Sequence, residues 1–213
     1  MLGVERFPTV TDHFAILHEP RRPWLEADAL KAKFLAFSPA AHPDHANTPR
    51  ERETAEHRFA ELNAAYQCLR ETKERLHHLF VLETGHEAKQ VRQVPQALAD
   101  LIIPAEQICR DVTAFLAEKA KATSPLVQAQ WFERALEWTE RIMTAQRQFQ
   151  AYRALLDAEA QSLNPAWAAV DGQFSHRRAE QLPLGQLENL FRAYSYVTRY
   201  ERQLQERGVQ LAL

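Results

Sequence analysis

Apolar residues recur along this chain at spacings of three and four, which is the period of an amphipathic α-helix. In the first half, capping and breaking residues divide this pattern into four predicted helices. The first is short and runs from Asp12 to Leu17, and the second ends at Ser38-Pro39. The third begins after Thr48, and the fourth runs from Glu71 to Leu82 and is closed by Gly85. The pattern therefore predicts an all-α fold.

The second and third helices are predicted to form an antiparallel pair. Thr48 is a typical N-cap, Pro49 suits the first helical position, and Glu51 completes a capping box, so the start of the third helix is well defined. Each helix has one apolar stripe that must be buried. The stripe of the second contains Ala27, Leu30, Phe34 and Phe37, and that of the third contains Ala55, Phe59, Leu62, Tyr66 and Leu69.

The pattern changes after a polar segment, residues 85–95, which ends at Pro95 and is predicted to be a linker. A helix follows in which Pro104 is expected to introduce a kink or a break. A very long helix then extends from Ser124-Pro125 to Leu163, where Asn164-Pro165 is expected to end it. Its predicted buried stripe contains Phe132, Leu136, Thr139, Ile142, Met143, Phe149, Tyr152, Leu155 and Leu156.

The last part of the chain is predicted to hold a short helix plus loop within residues 165–183, followed by a final helix. Gly208 is expected to end that helix. Its apolar positions are Leu187, Leu190, Phe191, Tyr194, Val197, Tyr200 and Leu204. Three amphipathic helices cannot bury their stripes separately, so residues 96–208 are predicted to form an antiparallel three-helix bundle.

Composition restricts the classes of partner. The 213 residues carry a formal net charge of −2, which provides no overall basic field and disfavours nucleic acid and anionic membranes as partners.

The two cysteines lie apart within apolar helical patterns, as in proteins of reducing compartments. No apolar run is long enough to span a bilayer, and the first residues lack the apolar stretch of a secretory signal. We therefore expect a soluble cytoplasmic protein.

The segment His42-Pro43-Asp44 lies between the paired helices and is predicted to form a stiff, exposed loop tip. Pro43 fixes its own φ and restricts His42, so the carboxylate of Asp44 is held at a set angle. A plain helix-to-helix turn is the alternative interpretation. A metal site at His42, His45 and His57 is not expected, because no cysteine joins them. The sequence also contains no phosphate loop or nucleophile elbow, so we expect no bound cofactor and no enzymatic activity.

These residues together resemble a J-domain. The resemblance covers residues 11–82 and rests on the His-Pro-Asp tripeptide, the following segment from Phe59 to Leu69, and Arg75. The entry from His13 to Leu17, Pro20, Leu25-Glu26 and the segment from Leu30 to Phe34 are similar to the HscB-type subgroup. This resemblance implies a J-domain over residues 8–84, a linker over 85–95 and a client-binding bundle over 96–208.

The resemblance implies a co-chaperone that stimulates the ATPase of a DnaK/HscA-type chaperone and presents a client, an iron–sulfur scaffold protein. By this likeness Asp44 engages an arginine near the interdomain linker of the chaperone, with His42 and Pro43 holding the loop. Lys31 and Lys33 would complete the chaperone-binding surface. The resemblance also implies a client-binding surface on the first helix of the bundle. At that position this chain has Leu98, Leu101, Ile102 and Glu106.

Two departures from the J-domain pattern support a second hypothesis. The second helix carries only Lys31 and Lys33 as basic residues, and Ala41 stands where an aromatic residue usually precedes the tripeptide. A degenerate J-like adaptor or structural protein, with another partner and little ATPase stimulation, would also have these features.

Overall fold

The computed structural model describes residues 10–41, 48–88, 94–120, 125–173 and 175–212, without the side chains of 125–130 and 175–176. Within these residues the chain is helical and contains no strand, so the predicted all-α fold is confirmed. The described residues form two compact units. One consists of residues within 1–90 and 158–191, and the other of residues within 91–157 and 192–213. The predicted linker over 85–95 stays a prediction, but residues 158–191, which the sequence assigned to the bundle, belong to the first unit.

Three helix ends in the first half of the chain are defined by caps. Helix α1 spans His13–Ile16, and the carboxylate of Asp12 caps it by accepting hydrogen bonds from the amides of Phe14 and Ala15. Helix α2 spans Ala27–Ala41, α3 spans Pro49–Arg70 and α4 spans Thr72–Thr84. The predicted capping box of α3 is present, and Gly85 ends α4 in the left-handed region with a φ of 75°.

Helices α2 and α3 pack against each other as an antiparallel pair. The rings of Phe34 and Tyr66 stack with centroids 4.3 Å apart, and Leu30, Leu62 and Leu69 are buried. The prediction that Ser38-Pro39 ends α2 was wrong, since the helix continues to Ala41. Proline removes only one amide hydrogen bond near the helix end. The Ser38 hydroxyl meanwhile donates to the carbonyl of Phe34 at 2.7 Å.

Arg75 of α4 is buried and joins three parts of the first unit. Its guanidinium donates to the carbonyls of Pro23 at 2.9 Å and Leu69 at 2.6 Å, and to the hydroxyl of Thr72 at 3.1 Å. It also lies over the ring of Trp24. The side chain thus satisfies acceptors that have little access to water.

We predict that Arg75→Met lowers the free energy of unfolding by about 3 kcal/mol, because buried acceptors lose a charged donor. Urea unfolding followed by circular dichroism measures this change. The matched control is Arg52→Met, since Arg52 is exposed on α3 and its replacement should change stability by less than about 0.5 kcal/mol. Equal effects of the two substitutions would contradict the role given to Arg75.

The remaining helices are α5 (Gln96–Lys119), α6 (Pro125–Ala169), α7 (Ser175–Gln181) and α8 (Leu184–Ala212). Pro104 does not divide α5. Pro165 does not end α6 either. Trp167 and Val170, which follow Pro165, are buried, and the burial of these two apolar side chains offsets the backbone hydrogen bond that proline cannot donate. Helix α8 continues past Gly208, which lacks the positive φ of a helix-ending glycine, and buries Leu211.

In the second unit, α5, α6 and α8 form the predicted antiparallel bundle. Phe115 of α5 meets Trp131 of α6, and Phe149 of α6 stacks on Tyr200 of α8. The core contains Leu98, Ala105, Ile108, Val112, Phe115, Ile142, Ala145, Phe149, Leu156, Ala193, Tyr194, Val197, Tyr200, Leu204 and Leu211. The predicted stripe of α6 was partly wrong, because Phe132, Leu136, Met143 and Leu155 are exposed.

Candidate functional site

The candidate site is the end of the α2–α3 pair, where the chain passes from one helix to the other. His42, Pro43 and Asp44 lie outside the described residues. The structure does describe the helix ends on either side of them. Helix α2 reaches Ala41. At the start of α3, the amide of Glu51 donates to Oγ1 of Thr48 at 3.2 Å, and the amide of Thr48 donates to a carboxylate oxygen of Glu51 at 3.0 Å. The start of α3 next to the tripeptide is therefore held by reciprocal hydrogen bonds.

The two lysines proposed for chaperone binding have different surroundings. Lys31 is exposed on α2. Lys33 is half-buried, donates from Nζ to the carbonyl of His18 at 3.0 Å and forms an ion pair with Glu19 at 2.9 Å. The charge of Lys33 is thus already neutralised within the first unit, whereas Lys31 presents its ammonium group to solvent.

A groove that the sequence did not predict lies beside the end of α2. We call it the tip groove. It has a volume of about 330 Å³ and is lined by Ile16, His18, Phe37, Ala40, Ala41, Arg58, Glu61 and Leu62. Five of the eight lining residues are apolar, and Arg58 and Glu61 are exposed residues of opposite charge on the α3 side. Two small residues at the end of α2, Ala40 and Ala41, leave this space open, which is the structural consequence of having Ala41 before the tripeptide.

The residues predicted for client binding lie on α5 but do not share one environment. Leu98 is fully buried in the core of the second unit, so its assignment to a surface is corrected. Leu101 and Ile102 are half-buried. Leu101 lines a groove of about 350 Å³ between α5 and α6. Ile103, which follows them and was not among the predicted client-binding residues, is 64% exposed.

Glu106 is already engaged within the bundle. Its carboxylate accepts a hydrogen bond from the hydroxyl of Tyr200 and lies 3.6 Å from the guanidinium of Arg110. Burial, together with the hydrogen bond to Glu106, raises the pKa of Tyr200 to about 12. Glu106 therefore links α5 to α8, and only part of its carboxylate remains available to a partner.

No helix in the described parts of the chain combines the length and the apolar content needed to cross a membrane. The candidate site consists of the two helix ends, the tip groove and the two lysines of α2.

Comparisons with known proteins identify the fold. No protein-family model and no curated protein sequence matches this chain. Among solved structures, chaperone HscB from Vibrio cholerae is 19% identical with a TM-score of 0.53, and the match covers 94% of this chain and 99% of that one. The human co-chaperone protein HscB is 13% identical with a TM-score of 0.61, covering 98% and 93% of the two chains. The predicted resemblance is confirmed at the level of the fold.

Proposed function

Starting from the HscB-type fold, we propose that this protein is a J-domain co-chaperone that stimulates the ATPase of a DnaK/HscA-type chaperone. The observation that carries the proposal is a His-Pro-Asp sequence between α2 and α3 in a chain with this fold along nearly its whole length. Both structural neighbours are named as chaperones or co-chaperones, and a co-chaperone acts on the ATPase of its partner without performing chemistry itself.

The proposed mechanism is a shift between two conformations of the chaperone. A ligand shifts such an equilibrium only by binding one conformation more tightly than the other. We assign this differential contact to the carboxylate of Asp44, with His42 and Pro43 setting its direction. Lys31 adds an exposed positive charge on α2, while Lys33 contributes less because it is paired with Glu19. The tip groove would receive an apolar side chain of the chaperone next to this contact.

The direct test measures the steady-state ATPase rate of the cognate chaperone with increasing amounts of the purified full chain. Saturable stimulation is expected. Absence of stimulation, with binding of a partner retained by the bundle, would instead support a J-like adaptor without productive chaperone docking. The paired state of Lys33 is the specific observation that favours this second candidate.

We further propose that the bundle presents an iron–sulfur scaffold protein as client, through the exposed side of the first part of α5. This surface contains Leu101, Ile102 and Ile103, with Glu106 at its border. Aliphatic side chains at a protein interface contribute through desolvation, and a charged residue at the rim sets orientation.

The double substitution Leu101→Ala/Ile103→Ala should weaken scaffold binding by about 2 kcal/mol, or roughly thirtyfold, because each truncated contact costs about 1 kcal/mol. Isothermal titration calorimetry with the scaffold protein measures this change. Leu155→Ala is the matched control, since Leu155 is a 66% exposed leucine on α6 of the same unit. Unchanged affinity in the double variant would remove the surface from the proposal without affecting the ATPase test.

A further inference from the structure

Three helices of the first unit bring together a histidine, a cysteine and a second histidine that the proposed function does not use. His13 is the first residue of α1, Cys68 lies near the end of α3 and His78 lies in the middle of α4. One ligand atom of each residue lies within 4.8 Å of the other two. Cys68 is 19 residues along α3 from Pro49, so the cluster is roughly 28 Å from the His-Pro-Asp end of the helix.

The hydrogen bonding of this cluster is incomplete. Nδ1 of His13 is buried and has no hydrogen-bond partner among the described residues. His78 is only 8% exposed and accepts a bond at Nε2 from the amide of His13 at 3.2 Å. The thiol of Cys68 makes a long contact of 3.8 Å to the carbonyl of Glu74. A buried nitrogen lone pair without a donor costs free energy, and a cation placed among these groups would remove that cost.

The chemistry of the three groups indicates which cation suits them. Imidazole nitrogens and a thiolate are preferred ligands of Zn²⁺, and three protein ligands leave a fourth position for water. In a tetrahedral site such ligand atoms are roughly 3.3–3.8 Å apart, so side-chain rotations that draw the atoms together by about 1 Å would complete the geometry. The rings of His13 and His78 are already close, with centroids 4.5 Å apart.

We propose that His13, Cys68 and His78 bind one Zn²⁺ ion in the first unit. On binding, the S–H bond of Cys68 is broken, its proton passes to solvent, and the thiolate forms a bond to the metal. The ion would join the start of α1 to α3 and α4. The site is separate from the proposed contacts with the chaperone and with the client.

The test uses the full chain after removal of metal with a chelator. Calorimetric titration with Zn²⁺ should show one bound equivalent, and titration with Co²⁺ should produce the near-ultraviolet thiolate-to-metal absorption band. Cys68→Ser should abolish the band and weaken Zn²⁺ binding by at least about a hundredfold, since even indirect ligand supports contribute 10–100-fold. Cys109→Ser, at the chain's other cysteine, should change neither result.

Circular dichroism of each metal-free variant establishes that it is folded, and His78→Phe provides a second ligand deletion that keeps a ring in place. The proposal is overturned if the folded wild-type chain binds no Zn²⁺. It is also overturned if Cys68→Ser or His78→Phe binds as tightly as wild type, because the metal would then occupy other histidines of the chain. These readouts do not involve ATPase stimulation, so they are independent of the proposed function.

Discussion

Asp44→Asn is expected to reduce stimulation of the chaperone ATPase to near the basal rate. The substitution keeps the size of the side chain and removes its charge. A hydrogen bond to a charged group contributes about 1.5–3 kcal/mol, so the proposed contact with a chaperone arginine should weaken roughly tenfold to a hundredfold. Steady-state ATP hydrolysis at a fixed chaperone concentration, with increasing wild-type or variant protein, measures the effect.

The matched control for this experiment is Asp28→Asn, which makes the same substitution at an exposed position in the first turn of α2. It should leave stimulation close to the wild-type level. Scaffold binding should be equal in all three proteins, because the bundle is unchanged. If Asp44→Asn stimulates as strongly as wild type, the tripeptide is not the group that couples this protein to the chaperone cycle.

Glu83→Ala is expected to destabilise the first unit even more strongly than Arg75→Met. The side chain of Glu83 is 0% exposed and accepts two hydrogen bonds from Arg178 of α7, at 3.0 and 2.7 Å. Arg21 lies 3.7 Å away. The hydrogen bonds to Glu83 raise the pKa of Arg178, which is itself buried. Removing one partner of a buried ion pair leaves the other charge uncompensated and costs about 3–5 kcal/mol.

Urea unfolding followed by circular dichroism would measure this loss. Glu53→Ala is the matched control, because Glu53 is exposed on α3 and should change the unfolding free energy by less than about 0.5 kcal/mol. The double variant Glu83→Leu/Arg178→Met removes both charges together and should recover a large part of the stability. A loss below about 1 kcal/mol in Glu83→Ala would contradict the ion pair as a main contributor to stability.

Local signals in the sequence were sufficient to predict where α3 begins and where α4 ends, but not where α2 and α6 end. The capping box at Thr48 and the positive-φ glycine at Gly85 act within one turn, so their effects are readable without knowledge of the fold. The antiparallel α2–α3 pair was predicted from the apolar stripe of each helix, and residues of the two stripes, such as Phe34 and Tyr66, do contact each other. The all-α class and the bundle of α5, α6 and α8 followed for the same reason.

Helix breakers were the least reliable signals. Pro39, Pro104 and Pro165 all lie inside helices. Each removes one hydrogen bond, but burial of later residues such as Trp167 contributes a compensating energy that depends on contacts distant in sequence. Contacts distant in sequence also decide the environment of His78, which periodicity alone would place with its neighbour on the surface of α4. His78 is buried, and this burial lowers its pKa to about 4.

The candidate site was predictable only in part. The tripeptide is visible in the sequence, and its assignment as the chaperone-binding tip stays a prediction. The tip groove was not visible, because it arises from three helices that meet around Ala40 and Ala41. The predicted client surface included Leu98, whose burial depends on its neighbours in the bundle. Periodicity identifies an apolar face but does not distinguish its buried part from its exposed margin.

The grouping of residues 158–191 with the first unit determines how the protein can be dissected. The backbone of Trp24 exchanges two hydrogen bonds, both 3.0 Å long, with the side chain of Asn164, and Arg22 pairs with Asp171. Excision of residues 10–88 as an isolated J-domain would sever these contacts and leave the carboxylate of Glu83 without Arg178. A minimal fragment for binding or spectroscopic work therefore has to be assembled from both stretches, for instance by fusing them through a designed connection.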